Sequence, residues 1–128
     1  MMTTVLEMRL PADIHAPGRA RAALDQLTIG LPQSTLDDIR LLASELVTNS
    51  VLHVQEDQGD HIDLAVEVSD EALRVAVSDK GTGFHPTAEV GKSHDGSRGL
   101  WIVSRLAHRW GVNTGQRFTT WFEMDLSV

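Results

Sequence analysis

The sequence predicts an α/β chain, a two-layer sandwich with helices packed on one face of a mixed, mainly antiparallel sheet. Three observations carry that expectation. Ile62, Leu64, Val66 and Val68 alternate with polar or small residues, as do Leu73, Val75 and Val77, and Ser69-Asp70-Glu71-Ala72 separates the two runs. Period-two patterning around a polar turn is the signature of an antiparallel hairpin. Residues 34–53 contain neither Gly nor Pro and gather Leu36, Ile39, Ala43, Leu46, Val47, Ser50 and, one residue on, Val54 on one face of a helix. Lys80 to Arg98 then turns to Gly, Thr, His, Ser and Pro without periodicity, a loop long enough in a small domain to imply function.

The remaining elements follow in order. Thr4 to Leu10 alternates as a strand, and Pro11 to Gly18 is a breaker-rich connection. Arg19 to Leu27 reads as a short helix that stops near Gly30-Leu31-Pro32. Ser34-Thr35-Leu36-Asp37 has the form of a helix start for the long helix that follows. Gly99 to Ala107 is expected to be a helix whose N-terminus faces the loop, and Phe118 to Leu126 a final strand.

At 128 residues the chain is expected to be one domain, 1–128, with a substantial core. A formal charge of −7 argues against direct nucleic-acid binding, which depends on clustered Lys and Arg. With no cysteine, disulfides and thiolate metal sites are excluded, which suits a cytoplasmic location. Met1 to Leu10 lacks a long apolar run after a basic start, so neither a secretion signal nor a membrane span is expected. The six histidines never form a His-x-x-x-His or His-Glu pair on one helix, so zinc is not expected. Gly91-Lys92-Ser93 imitates the end of a P-loop, but the earlier glycine that motif needs would fall at Pro86.

The candidate chemistry sits in two places. Asp79 ends an apolar strand and shares the inward parity of Leu73, Val75 and Val77. An inward carboxylate needs hydrogen-bond donors, either from its own turn or from a ligand with an amino group. Gly81 and Gly83 follow at once, giving a backbone that can turn sharply and approach a flat or phosphorylated ligand closely. On the long helix, Glu45, Asn49 and His53 recur at i, i+4 and i+8 as a polar stripe along the edge of the apolar face, with Leu41 and Leu52 beyond it. Apolar residues on both sides of a polar stripe resemble the wall of a covered cleft.

Glu45-Leu46-Val47-Thr48-Asn49-Ser50-Val51-Leu52-His53 and Asp79-Lys80-Gly81-Thr82-Gly83-Phe84 resemble the N box and first glycine box of the GHKL ATPases. Gly96-Ser97-Arg98-Gly99-Leu100-Trp101-Ile102-Val103 is similar to the second glycine box leading into a helix. The resemblance runs from about Ala16 to the last strand and is nearest to the small bacterial anti-sigma-factor serine/threonine kinases. It implies a histidine-kinase-like ATPase fold with ATP between the long helix and the loop. It further implies that Asp79 accepts from the adenine amino group, that Asn49 binds Mg²⁺, and that Glu45 is the general base. Gly81, Gly83 and Phe84 would line the nucleotide, and Gly96, Arg98, Gly99 and Leu100 would meet the phosphates at a helix N-terminus. By strand parity Thr120 faces inward, either with its hydroxyl near the adenine or as a packed β-branched residue. His53 would orient the stripe or satisfy last-turn carbonyls.

The same resemblance implies a small antagonist protein as substrate and a sigma factor as second partner, with room for a homodimer. The chain departs from the family pattern at Leu52, where many members carry Lys or Arg, at Ser97, where Gly is frequent, and at Arg117-Phe118-Thr119-Thr120, where Gly-Thr is usual. The alternative is a module that has lost catalysis and regulates by sequestering a partner. A detached histidine-kinase catalytic domain is a third possibility.

Overall fold

The computed structural model describes residues 1–27, 30–54, 60–80 and 97–126. Among them the chain order is β1 (Thr3–Pro11), α1 (Ala16–Asp25), α2 (Gln33–Val54), β2 (His61–Val68), β3 (Ala72–Asp79), α3 (Ser97–Leu106), β4 (Arg109–Thr114) and β5 (Phe118–Asp125). The strands form one sheet in the order β1-β2-β3-β5-β4. All four pairings are antiparallel, where a mixed sheet was expected. The reason lies in β5. The connection through α3 brings β4 back in the same direction as β3, but β5 inserts between them, so no two parallel strands touch.

The hairpin is built as its pattern dictates. Val66 faces Val75 and Leu64 faces Val77 across β2 and β3, and all four are buried. Ser69 closes the turn: its Oγ accepts from the amides of Glu71 and Ala72 at 3.1 Å each, and its own amide donates to the Ala72 carbonyl at 2.8 Å. A serine hydroxyl in that position substitutes for the missing ladder bond.

The first helix starts earlier than its pattern suggested, at Ala16 instead of Arg19. Pro17 is no breaker here. It occupies the first helical turn, where a missing N–H costs nothing. Asp13 prepares the entry, its Oδ1 accepting the His15 amide at 2.8 Å. Ala16, Ala20 and Leu24 then recur every four residues as the buried face against α2. The chain turns at Gly30, whose φ of 65° is open to glycine without strain. Ser34 is not the cap of α2, because the helix already includes Gln33; the Leu36 amide donates to the Pro32 carbonyl at 3.1 Å, and Gln33 Nε2 donates to Asp37 Oδ1 at 2.9 Å.

Ile39, Ala43, Leu46, Val47, Ser50 and Val54 of α2 are buried as the helical pattern requires. Leu42 joins them at 0% exposure. With Leu42 inside, the core face of α2 is wider than the apolar pattern indicated, and the polar stripe runs along its margin. Truncating a residue such as Leu46 to Ala in this layer would cost about 2–5 kcal/mol.

The opposite sheet face carries paired charge. Arg109 on β4 donates to Glu123 Oε1 at 2.7 Å and to Asp125 Oδ1 at 2.5 Å. Arg74 reaches Glu123 Oε2 at 3.3 Å while stacking 4.3 Å from the centre of the Trp121 ring. Hydrogen bonds from Arg109 hold the Glu123 and Asp125 carboxyls below the usual carboxylate range, and the same bonds raise the guanidinium. Gly111 lies under Trp121, and a Cβ there would fall 2.7 Å from the indole.

Candidate nucleotide site

The layer between α2 and the sheet is apolar except at one end. Asn49, Ser50, Asp79 and Thr120 are all buried, with exposures of 1%, 0%, 0% and 0%. α2 packs on β3 and β5, the strands that carry Asp79 and Thr120. Asp79 stands opposite Phe118, and Val77 opposite Thr120. Thr120 is therefore the diagonal neighbour of Asp79 on the inner face, within the reach of cross-strand side chains. Strand parity alone had placed both indoors.

Neither amide atom of Asn49 has a hydrogen-bond partner among the described residues, and the Thr120 and Ser50 hydroxyls also lack one. Buried polar atoms are nearly always satisfied, so an amide and two hydroxyls left open in one layer point to a group that completes them. The amide oxygen of Asn49 has the hardness that Mg²⁺ requires, and a cation bound by one protein oxygen keeps its remaining coordination for water and phosphate. Glu45 lies one turn before Asn49 and is half-buried, at the boundary between the core and solvent.

The other expected site residues fall as follows. Arg98 and Gly99 lie in the first turn of α3, which begins at Ser97, so the expected loop ends two residues sooner than its composition suggested. Leu100 is buried in the core, which leaves its backbone N–H, among the first four of the helix, as the part that could meet a phosphate. Gly81, Gly83, Phe84 and Gly96, and the loop that holds them, lie outside the described residues. His53 is in the last turn of α2.

Sequence reasoning missed Asp60. It is buried, its Oδ1 lies 2.8 Å from Lys80 Nζ, and its carbonyl accepts the Ala12 amide at 3.0 Å. No signal in the sequence could have found it, since an acidic residue before a strand ordinarily reads as solvated.

An antiparallel sheet covered on one face by helices, with a buried carboxylate ending a central strand and, on the helix above it, a buried amide without a partner among the described residues, has the layout that the resemblance to the GHKL ATPases implies. Residues 10–122 match the family model of the histidine kinase-like ATPase domain, and the chain belongs to that family. It is 25% identical over 116 residues to the serine-protein kinase RsbW of Oceanobacillus iheyensis, covering 79% of this chain and 73% of the relative. It is 33% identical over 86 residues to the anti-sigma F factor of Clostridium acetobutylicum, covering 66% of this chain and 60% of that one. The fold is similar to that of the blue-light activated histidine kinase of Erythrobacter litoralis EL346, with a TM-score of 0.65 at 25% identity, over 92% of this chain and 42% of the kinase. Among the described residues no helix is long and apolar enough to cross a membrane.

Proposed function

We propose that this chain is an ATP-dependent serine/threonine kinase of the anti-sigma-factor type, which phosphorylates a small antagonist protein and binds a sigma factor in the cytoplasm. The observation that carries the reading is the buried amide of Asn49, without a partner among the described residues, one turn from the half-buried Glu45. The names of the relatives, a serine-protein kinase and an anti-sigma factor, supply the substrate and partner classes.

Each residue has a task within this reading. Asp79 accepts from the adenine amino group, which selects adenine over bases lacking that donor. Thr120 lies beside it and offers a hydroxyl. Asn49 holds Mg²⁺, which when bound neutralises phosphate charge. Glu45 accepts the proton of the attacking serine or threonine hydroxyl. The new oxygen–phosphorus bond forms as the bond to ADP breaks, and ADP leaves with the electron pair. Phosphoryl transfer asks mainly for positioning and charge neutralisation, so this set is chemically sufficient.

Incubation with γ-labelled ATP, Mg²⁺ and a candidate antagonist tests the proposal, with ATP and sigma-factor binding measured on the same sample. Label on a serine or threonine of the antagonist is the expected result. Binding of ATP and sigma factor without any transfer would replace the kinase with a sequestering module.

A further inference from the structure

The strand pairing that fixes Asp79 is one-sided. Its register partner on β5 is Phe118, whereas the β2–β3 register ends at Asp63 and Ser78, one residue short of it. Beyond that pair a side-chain contact joins the two segments, Lys80 Nζ lying 2.8 Å from Asp60 Oδ1. Asp60 is itself fixed from behind: its carbonyl accepts the Ala12 amide at 3.0 Å and carries the β1–β2 pairing one residue past Pro11 and His61. The Asp60 carboxylate is buried, and its Oδ2 has no hydrogen-bond partner among the described residues. A buried carboxylate in that state depends on its ion-pair partner, so the Lys80 side chain, 60% exposed, is held down to the strand end.

Resting on the nucleotide site proposed above, we infer that Asp60 and Lys80 are positioning residues for Asp79, and that the clasp they form sets how strictly the site selects adenine. Lys80 follows Asp79 directly, so anchoring its side chain on Asp60 restrains the peptide on the C-terminal side of Asp79. The end of a strand opens at small cost unless something ties it. With the clasp closed, Asp79 projects from a backbone held towards β5 by Phe118 and towards β2 by Asp60. Without it one flank is released, and the carboxylate tilts from the line of the amino group it accepts. Hydrogen bonds weaken steeply with angle, so a tilt that leaves the fold intact still costs recognition. Hypoxanthine carries an oxygen where adenine carries that amino group, and the carboxylate repels it. A site built to hydrogen-bond an amino group rejects the analogue lacking one. Removing the Lys80 charge by itself weakens every nucleotide alike, so the ratio of ADP to inosine diphosphate affinity isolates the effect on Asp79.

Titration calorimetry with ADP and with inosine diphosphate tests the inference, each protein being measured well below its melting temperature. The variants are Lys80→Met, Lys80→Arg, Asp60→Leu, Asp79→Asn and the Asp79→Asn, Lys80→Met double variant. Asp60→Leu breaks the clasp while filling similar space and leaving no unpaired buried charge, so it decides the matter should Lys80→Met fail to fold. The wild-type chain should prefer ADP, and Lys80→Met and Asp60→Leu should each lower that preference about tenfold, the worth of one hydrogen bond. Lys80→Arg keeps the ion pair and should keep the preference. In the Asp79→Asn background, Lys80→Met should change the ratio no further, the non-additivity expected when one residue acts through another. A ratio unchanged in Lys80→Met and Asp60→Leu, even with a lower melting temperature, overturns the clasp and leaves the kinase reading standing. Equal loss of both diphosphates in Lys80→Met makes Lys80 a phosphate contact and overturns it too, as does an effect on the ratio that persists without Asp79. A wild-type chain that binds neither diphosphate overturns the nucleotide site and the clasp together, whereas ADP preference without transfer to any antagonist overturns the kinase alone.

Discussion

Lys80 Nζ lies 2.8 Å from Asp60 Oδ1, one residue past the buried Asp79, and joins the end of β3 to the start of β2. The Asp60 carbonyl also takes the Ala12 amide, so the pair gathers the ends of three neighbouring strands next to Asp79. Asp60 is buried while Lys80 is mostly exposed, and that asymmetry sets the consequence. Lys80→Met would leave a buried carboxylate without its ion-pair partner and should cost about 1–3 kcal/mol in urea unfolding. Lys80→Met with Asp60→Asn should recover part of the loss, because the amide carries no charge to desolvate. Additive losses in the double variant would show that the two residues do not act as a pair.

Asp79→Asn should weaken binding of ATP and ADP alike, by roughly 10- to 150-fold, the value of a hydrogen bond to a charged group. The amide keeps one acceptor oxygen and turns an amino group toward the ligand's donor. Calorimetry alongside thermal melting separates the roles. A variant that melts earlier and binds nucleotide normally would make Asp79 a structural cap.

Gly111→Ala should destabilise the sheet by about 1–3 kcal/mol, because the added methyl meets the Trp121 indole at 2.7 Å. The ring cannot retreat freely, as the Arg74 guanidinium covers it at 4.3 Å. Urea unfolding and near-UV circular dichroism would report both the loss and the displaced ring. Unchanged stability would mean that β4 shifts as a whole to make room.

Asp79, Thr120 and the hairpin were legible in the sequence because a strand has period two, so parity alone separates the faces. The α2 core face was legible for a similar reason, but Leu42 was not: at its azimuth the apolar stripe meets the polar one, and only packing decides which side is covered. Pro17 misled because proline stops a helix from inside and begins one at its first turn, a distinction that pattern cannot make. The sheet read as mixed because strand direction depends on where β5 inserts, a contact remote in sequence. Asp60 and Lys80 meet only through the same long-range assembly.

Low pH should weaken the outer face of the sheet first. Arg109 holds the Glu123 and Asp125 carboxyls below their ordinary values, so the stability they contribute is present above the usual carboxylate range and is lost as pH falls through their lowered values. Arg109→Gln should therefore lower the urea midpoint at pH 7 and flatten its decline between about pH 5 and 3. Parallel curves for variant and wild type would show that the pairs on this face contribute nothing to folding.

Glu45→Ala and Asn49→Ala should separate chemistry from binding. The glutamate is half-buried, and as the proposed base its removal should lower the transfer rate by roughly 10²–10⁴-fold. ATP affinity should hardly change, since the proposal assigns adenine and metal recognition to Asp79 and Asn49. Asn49→Ala should weaken both Mg·ATP binding and transfer, yet relieve the buried amide that finds no described partner, so the nucleotide-free protein should melt no earlier and could melt later. Binding in the absence of Mg²⁺ sharpens the comparison: Asn49→Ala should match wild type there, and differ only when the metal is added. Equal loss of ATP affinity with and without Mg²⁺ would move Asn49 from the metal to the nucleotide itself.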